Sequence, residues 1–209
     1  MYKYICIFLT VFAIGSSSLS AQDFDSRLLH SINQQQCMHG FSSVISESTI
    51  YLAAGIPVAM GITALATKND ALFKETLCYG VSLGLSIGLS YGLKYIVNRP
   101  RPYITHPDYI NNLATEGSPS FPSTHTTIAF SVATSLTLMY PKWYVAVPSY
   151  IWAASVGYSR MNIGVHYPSD VLTGALLGAG SAYLTYELNK LLWKKTNNKP
   201  LIGLKAYQE

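Results

Sequence analysis

Leu77-Cys78-Tyr79-Gly80-Val81-Ser82-Leu83-Gly84-Leu85-Ser86-Ile87-Gly88-Leu89-Ser90-Tyr91-Gly92-Leu93 runs for 17 residues without an acidic or basic side chain, and Lys94 closes it. Gly80, Gly84, Gly88 and Gly92 fall every four residues, which places them on one face of a helix. A glycine inside a water-exposed helix costs about 1 kcal/mol relative to alanine, so four in register make a poor soluble helix. In lipid, small residues at this spacing let helix backbones approach closely. The stretch reads as a membrane helix with the glycine row as its packing face. Gly174 and Gly178, flanked by Ala175 and Ala179, repeat the device near the C-terminus.

Four further stretches lack charge: Ser48–Thr67, Gly117–Pro141, Trp143–Ser159 and Val171–Tyr186, of 20, 25, 17 and 16 residues. A hydrocarbon core of ~30 Å takes about 20 helical residues, with a range of about 17–25. Gly117–Pro122 carries two prolines and two serines and reads as loop, so its helix starts near Ser123. Five membrane helices are expected, over 46–67, 75–97, 123–140, 143–158 and 169–192. The N-terminus has Lys3, the apolar run Ile5–Gly15 and then Ser16–Ala21, the layout of a secretory signal peptide ending at Ala21 or of a first membrane helix. The expected fold is an all-α integral membrane bundle of five to six helices. Residues 1–21 form the signal peptide or first helix, 22–195 the membrane domain and 196–209 a cytoplasmic tail.

Composition agrees. Charged residues make up 11% of the 209 and hydrophobic residues 49%, against roughly 25% charged in ordinary soluble domains. That hydrophobicity excludes a disordered chain. A net charge of +4 without a Lys/Arg-rich run gives no footprint for nucleic acid. Cys6, Cys37 and Cys78 show neither paired spacing nor a CxxC, so no disulfide framework is expected. No HExxH, paired Cys or Asp/Glu cluster is present to hold a metal, and no cofactor or protein partner is indicated.

Lysine placement orients the bundle. With the N-terminal segment outside, the inner loops and tail hold Lys68, Lys74, Lys142, Lys190, Lys194, Lys195, Lys199 and Lys205. The outer loops hold Arg27, Lys94, Arg99, Arg101 and Arg160. The inner excess follows the positive-inside rule. Two polar outer loops result, 98–122 and 159–168, and the chemistry-bearing residues gather at their ends.

Lys94 precedes Arg101-Pro102 by seven residues; Pro122-Ser123-Thr124-His125 opens the third helix; Ser159-Arg160 leaves the fourth, followed by His166 and Asp170. Lys94, Arg101 and Arg160 supply three cations for a phosphate group, and Arg grips phosphate bidentately. Ser123 stands at an N-cap position, where free backbone N–H groups and the positive end of the helix dipole form an anion site. Thr124 still offers its backbone N–H there. Asp170, four residues after His166 with Pro168 between, can accept from one imidazole nitrogen and leave the other free, as an activated nucleophile requires.

The blocks K-x6-R-P, P-S-T-H and S-R-x5-H-x3-D resemble the signature of the type 2 phosphatidic acid phosphatase family, shared with vanadium haloperoxidases, over about residues 45–190. The first and third match in full; the second carries Thr124 where the family usually has glycine. The resemblance implies a metal-independent membrane lipid phosphate phosphatase. In that reading His166 attacks phosphorus to form a phosphohistidine, Asp170 orients it and His125 protonates the leaving oxygen. Lys94, Arg101, Ser123, Thr124 and Arg160 hold the phosphate. The implied substrates are lipid A phosphates, undecaprenyl pyrophosphate or phosphatidylglycerol phosphate at the periplasmic face of a bacterial inner membrane, with the bilayer as the other partner. Alternatives are a soluble secreted acid phosphatase or vanadate-dependent haloperoxidase of the same superfamily, and a lipid-phosphate binding or transport protein. Arg99 is assigned to headgroups or the loop rather than to the site. His30, His39 and His106 have no partner at useful spacing, and Gly164 is expected to make the turn before His166.

Overall fold

The computed structural model describes residues 19–195, with side chains over 24–191, so the signal segment and the tail lie mainly or wholly outside the described residues. The helices are α1 (Leu19–Asn33), α2 (His39–Ala66), α3 (Asp70–Val97), α4 (Pro102–Thr105), α5 (Thr124–Met139), α6 (Trp143–Asn162) and α7 (Pro168–Lys195), with a 3-10 turn at Gln36–Met38 between α1 and α2. No strand occurs among the described residues. A helix forms at each of the five expected places. α2 begins at His39 rather than 46, and α6 runs to Asn162, so that Arg160 sits inside the helix and not beyond it.

The bundle is polar inside and apolar outside. Ile50, Val58, Ile62, Val81, Ile96, Ile151, Leu172 and Leu176 are exposed, while Ser42, Ser46, Thr49, Ser82, Ser86, Ser90, Ser131 and Ser181 are buried. A water-soluble core shows the reverse. Two segments, Gln36–Ala66 and Asp70–Thr105, are long and apolar enough to cross a membrane, and only 17% and 22% of their most apolar windows is buried. Those segments spend their hydrophobicity on the outer surface, as a membrane bundle does. α5 is the central helix, packed against α2, α3, α6 and α7.

The inward face of α3 is Tyr79 followed by Ser82, Ser86, Ser90 and Lys94, and these last four repeat every four residues, offset by two from the glycines. Ser82 bonds Ser131 of α5 at 3.0 Å, Ser86 bonds Ser181 of α7, and Ser90 bonds Thr124 of α5 at 2.9 Å. The packing role expected for Gly80, Gly84, Gly88 and Gly92 is therefore corrected: a Cβ on any of them meets nothing within 4 Å, and they face outward. Serine is small enough for close approach and adds a hydroxyl that needs a partner away from water, so the serine row is the one that turns inward. On α7 the expected packing holds. A Cβ at Gly174 would lie 2.7 Å from the Ser123 carbonyl oxygen, and one at Gly178 would lie 2.0 Å from that of Thr127.

α1 was not expected as a helix. Its buried residues Asp25, Leu29 and Asn33 repeat every four positions. Leu29 packs on Ile110 and Tyr167. Asn33 donates to the carbonyls of Asn111 at 3.0 Å and Asn162 at 2.8 Å and accepts from the Asn111 amide at 2.7 Å. The helix thereby fastens the loops 98–122 and 159–168 to each other.

Candidate active site

Lys94, on the last turn of α3, is 2% exposed and donates to the carbonyl oxygen of Pro119 at 2.6 Å. α3 ends at Asn98 in the left-handed conformation, with φ 49°. The chain then turns through Arg99 and Pro100 into Arg101, which is also buried. Arg101 donates Nε to the Ser118 carbonyl at 2.7 Å and Nη1 to the Val165 carbonyl at 3.0 Å, and Nη1 stands 3.4 Å from His166 Nε2. Arg160, on the last turn of α6, donates Nη1 to Ser46 of α2 at 2.7 Å and Nη2 to Glu116. The end of α3 with the turn after it, and the last turn of α6 some 60 residues on, deliver three buried cations to one place.

Ser123 is the N-cap of α5. Its hydroxyl accepts from Thr126 at 2.9 Å rather than from a helix amide, and its own amide donates to the Asp170 carbonyl at 3.1 Å. The first amides of α5 have no carbonyl within their own helix to pair with. The Thr124 hydroxyl is held by Ser90, one turn before Lys94, so the side chain that replaces a glycine is tied to α3. His125 follows, half-buried on the same first turn, within the electrostatic reach of Arg160, Glu116, Lys94 and Arg101.

His166 lies between α6 and α7, where Gly164 adopts φ +82°. A Cβ at Gly164 would stand 2.3 Å from the Asn111 carbonyl oxygen, so the position needs glycine for space as well as for backbone freedom. His166 is buried, and burial pushes its imidazole down to about 3, with Arg160 and Arg101 adding to the shift against the pull of Asp170. The ring is neutral at neutral pH. Its Nδ1 lies 3.5 Å from Asp170 Oδ2 and makes no hydrogen bond. Asp170 accepts instead from three other donors: Arg99 Nη1 at 2.8 Å on Oδ1, and Ser120 and the Tyr167 amide, the latter at 2.9 Å, on Oδ2.

All eight expected residues, Lys94, Arg101, Ser123, Thr124, His125, Arg160, His166 and Asp170, thus come together. His30, His39 and His106 do not join them; they bond Tyr109, Asn33 and Ser26 around α1 and the loop after α4. Arg99, assigned from sequence to headgroups or the loop, sits in the cluster instead. It binds Asp170 and, through Nη2 at 2.8 Å, Asp25 of α1, with its guanidinium carbon 3.8 Å over the Tyr167 ring. Ser120 and Glu116 were also missed. Among the described residues no three His, Cys, Asp or Glu side chains converge as a metal site.

The family described as the PAP2 superfamily matches residues 75–194, which include every one of these eight positions. The chain is 28% identical over 161 residues to a lipid A 4'-phosphatase of Bacteroides thetaiotaomicron, covering 71% of this chain and 70% of that protein. It is 34% identical over 125 residues to an undecaprenyl-diphosphatase of Sulfolobus acidocaldarius, covering 56% and 58%. Among solved structures, Aquifex aeolicus LpxE superposes with a TM-score of 0.63 at 28% identity, covering 77% of this chain and 93% of that one. A transmembrane PAP2-type phosphatidylglycerolphosphate phosphatase from Bacillus subtilis shares the fold, with a TM-score of 0.75 at 24% identity over 92% and 98%. With its bundle, its polar cluster and more than half its length accounted for, the chain belongs to the PAP2 superfamily.

Proposed function

We propose that the protein removes phosphate from a lipid phosphomonoester or diphosphate at the outer face of a bacterial inner membrane. The observation that carries the reading is the buried arrangement of Lys94, Arg101 and Arg160 around a neutral His166 and the open first turn of α5. A phosphoryl group spreads its charge over three oxygens in the transition state. Lys94, Arg101, Arg160 and the amides after Ser123, including that of Thr124, are the donors for those oxygens.

In this mechanism His166 Nε2 attacks phosphorus and the bond to the lipid oxygen breaks, giving a phosphohistidine. Asp170 stabilises the charge that develops on the ring through Nδ1, and His125 gives its proton to the departing oxygen. Water then attacks the phosphohistidine, its proton going back to His125, and the P–N bond breaks to release inorganic phosphate and free His166. The neutral imidazole supports the nucleophilic role, because a protonated ring has no lone pair to offer.

The apolar outer surface supports a lipid substrate. The names of the relatives point to lipid A phosphate, undecaprenyl diphosphate and phosphatidylglycerol phosphate as the first three lipids to try. The test is release of inorganic phosphate from each purified lipid in detergent by the purified protein, beside His166→Ala. Release by neither protein, or equal release by both, overturns the reading.

A further inference from the structure

Glu116 lies in the loop between α4 and α5 and belongs to none of the three sequence blocks. Its carboxylate faces two of the cations assigned above to phosphate. Oε1 accepts from Arg160 Nη2, and Oε2 lies 3.8 Å from Arg101 Nη2. Its field also reaches His125 and Lys94. The side chain is 28% exposed, whereas those of Arg101 and Arg160 are 2% and 4% exposed, so Glu116 reaches the cations from the open side of the site.

The backbone beneath it is fixed. The Tyr103 hydroxyl donates to the Glu116 carbonyl at 3.2 Å and accepts from the Glu116 amide at 3.4 Å. Side-chain rotation alone, with the loop in place, is therefore enough to take the carboxylate off the cations. The ion pair is also incomplete: Arg160 Nε is buried and has no hydrogen-bond partner. A carboxylate offers two oxygens and a phosphoryl group three, and both fit the guanidinium fork. An entering phosphoryl group has an oxygen for the donor that Glu116 leaves unused.

We propose that Glu116 is the resident anion of the phosphate cradle, displaced by the incoming phosphoryl group and returning to Arg160 as inorganic phosphate leaves. The proposal rests on the phosphate-site reading above. It makes Glu116 a determinant of substrate and product affinity, outside the bond-making steps. Without Glu116 the cations stay free for phosphate, so substrate and product both bind more tightly.

The experiment uses the full chain in detergent with p-nitrophenyl phosphate as substrate and inorganic phosphate and orthovanadate as inhibitors. Glu116→Gln is expected to lower KM and to lower both inhibition constants by about tenfold or more, since one charge-assisted hydrogen bond is worth at least that factor. Tyr103→Phe, which frees the Glu116 backbone, is expected to move them the same way by less. Unchanged or weakened phosphate and vanadate inhibition in Glu116→Gln overturns the proposal. If Glu116→Gln is not monodisperse on gel filtration, Tyr103→Phe decides by the same criterion. Arg160→Ala separates the two levels of the argument: wild-type hydrolysis in that variant defeats the phosphate-site reading itself, whereas its inactivity beside unchanged inhibition in Glu116→Gln defeats only the role of Glu116.

Discussion

Arg99 donates to Asp170 at 2.8 Å, on the carboxylate oxygen turned away from His166. The second arm of the same guanidinium holds Asp25 at 2.8 Å, and Asp25 accepts from the Ser169 amide at 2.9 Å. The carboxylate beside the proposed nucleophile is thus clamped from α1, the α3–α4 turn and the start of α7 together. If Arg99 positions Asp170 without touching substrate, Arg99→Ala should reduce kcat by about 10²-fold, the scale of an ångström of misplacement. KM should change far less, and Arg99→Lys should recover part of the loss. Asp25→Asn should act in the same direction more weakly. A variant that raised KM with kcat intact would instead mark Arg99 as a substrate contact.

The two histidines separate by leaving group. General acid catalysis contributes roughly 10²–10⁴-fold, so His125→Ala should lose on that scale with a lipid alkoxide as leaving group. It should recover much of its activity on p-nitrophenyl phosphate, whose leaving group departs as an anion. His166→Ala removes the proposed nucleophile and should stay inactive on both. The measurement is kcat/KM for each substrate in each purified variant. Equal losses for His125→Ala on the two substrates exclude it as the acid.

Stability should fall on the acid side. His166 is held neutral by burial at about 3 against an ordinary value of 6.5, so the unfolded chain binds the extra proton first. Its contribution is complete above 6.5 and is lost as pH falls from 6.5 toward 3. Glu116 is pushed up by burial but pulled further down by Arg160 and Arg101, to a net value below the ordinary carboxylate, so its contribution is lost at the lower end of that range. The thermal midpoint in detergent, measured from pH 7.5 to 4.5, should drop more steeply for wild type than for His166→Asn. Parallel curves would show that the imidazole is not buried neutral.

Orientation is open to thiol labelling in a background with the native cysteines replaced, which is needed because Cys37 is exposed. Thr115→Cys, exposed in the loop before α5, should react with a membrane-impermeant reagent in intact spheroplasts, and Lys142→Cys, exposed between α5 and α6, should not. Lys142 suits the inner position better than Asn69, whose side chain accepts from the Leu72 amide and caps α3. The inverse labelling pattern would turn the site toward the cytoplasm.

The membrane helices were legible because missing charge is a one-dimensional signal, and Leu77–Leu93 shows it with no knowledge of neighbours. The clustered polar residues were legible because each block places its side chains at a helix end, where local spacing fixes them. Which row of α3 turns inward was not legible. Glycines at 80, 84, 88 and 92 and serines at 82, 86 and 90 share one period, and the choice depends on hydroxyl partners at Thr124, Ser131 and Ser181. Arg99 and Glu116 escaped for a related reason. Asp25 is 74 residues from Arg99, and Arg160 is 44 from Glu116, so neither pairing leaves a local pattern. α1 went unread because its buried face is Asp25, Leu29 and Asn33, with one aliphatic residue among three.

The anchoring of α1 bears on how the protein is best handled at the bench. An affinity handle or fluorescent fusion joined just before Leu19 would pull on the helix that carries Asp25, and so on Arg99 and Asp170 behind it. Turnover would suffer from such a fusion while expression level and monodispersity stayed normal. A handle placed after α7 avoids that lever, because the end of that helix lies a full 28-residue span from Pro168 and the carboxylate cluster at its start.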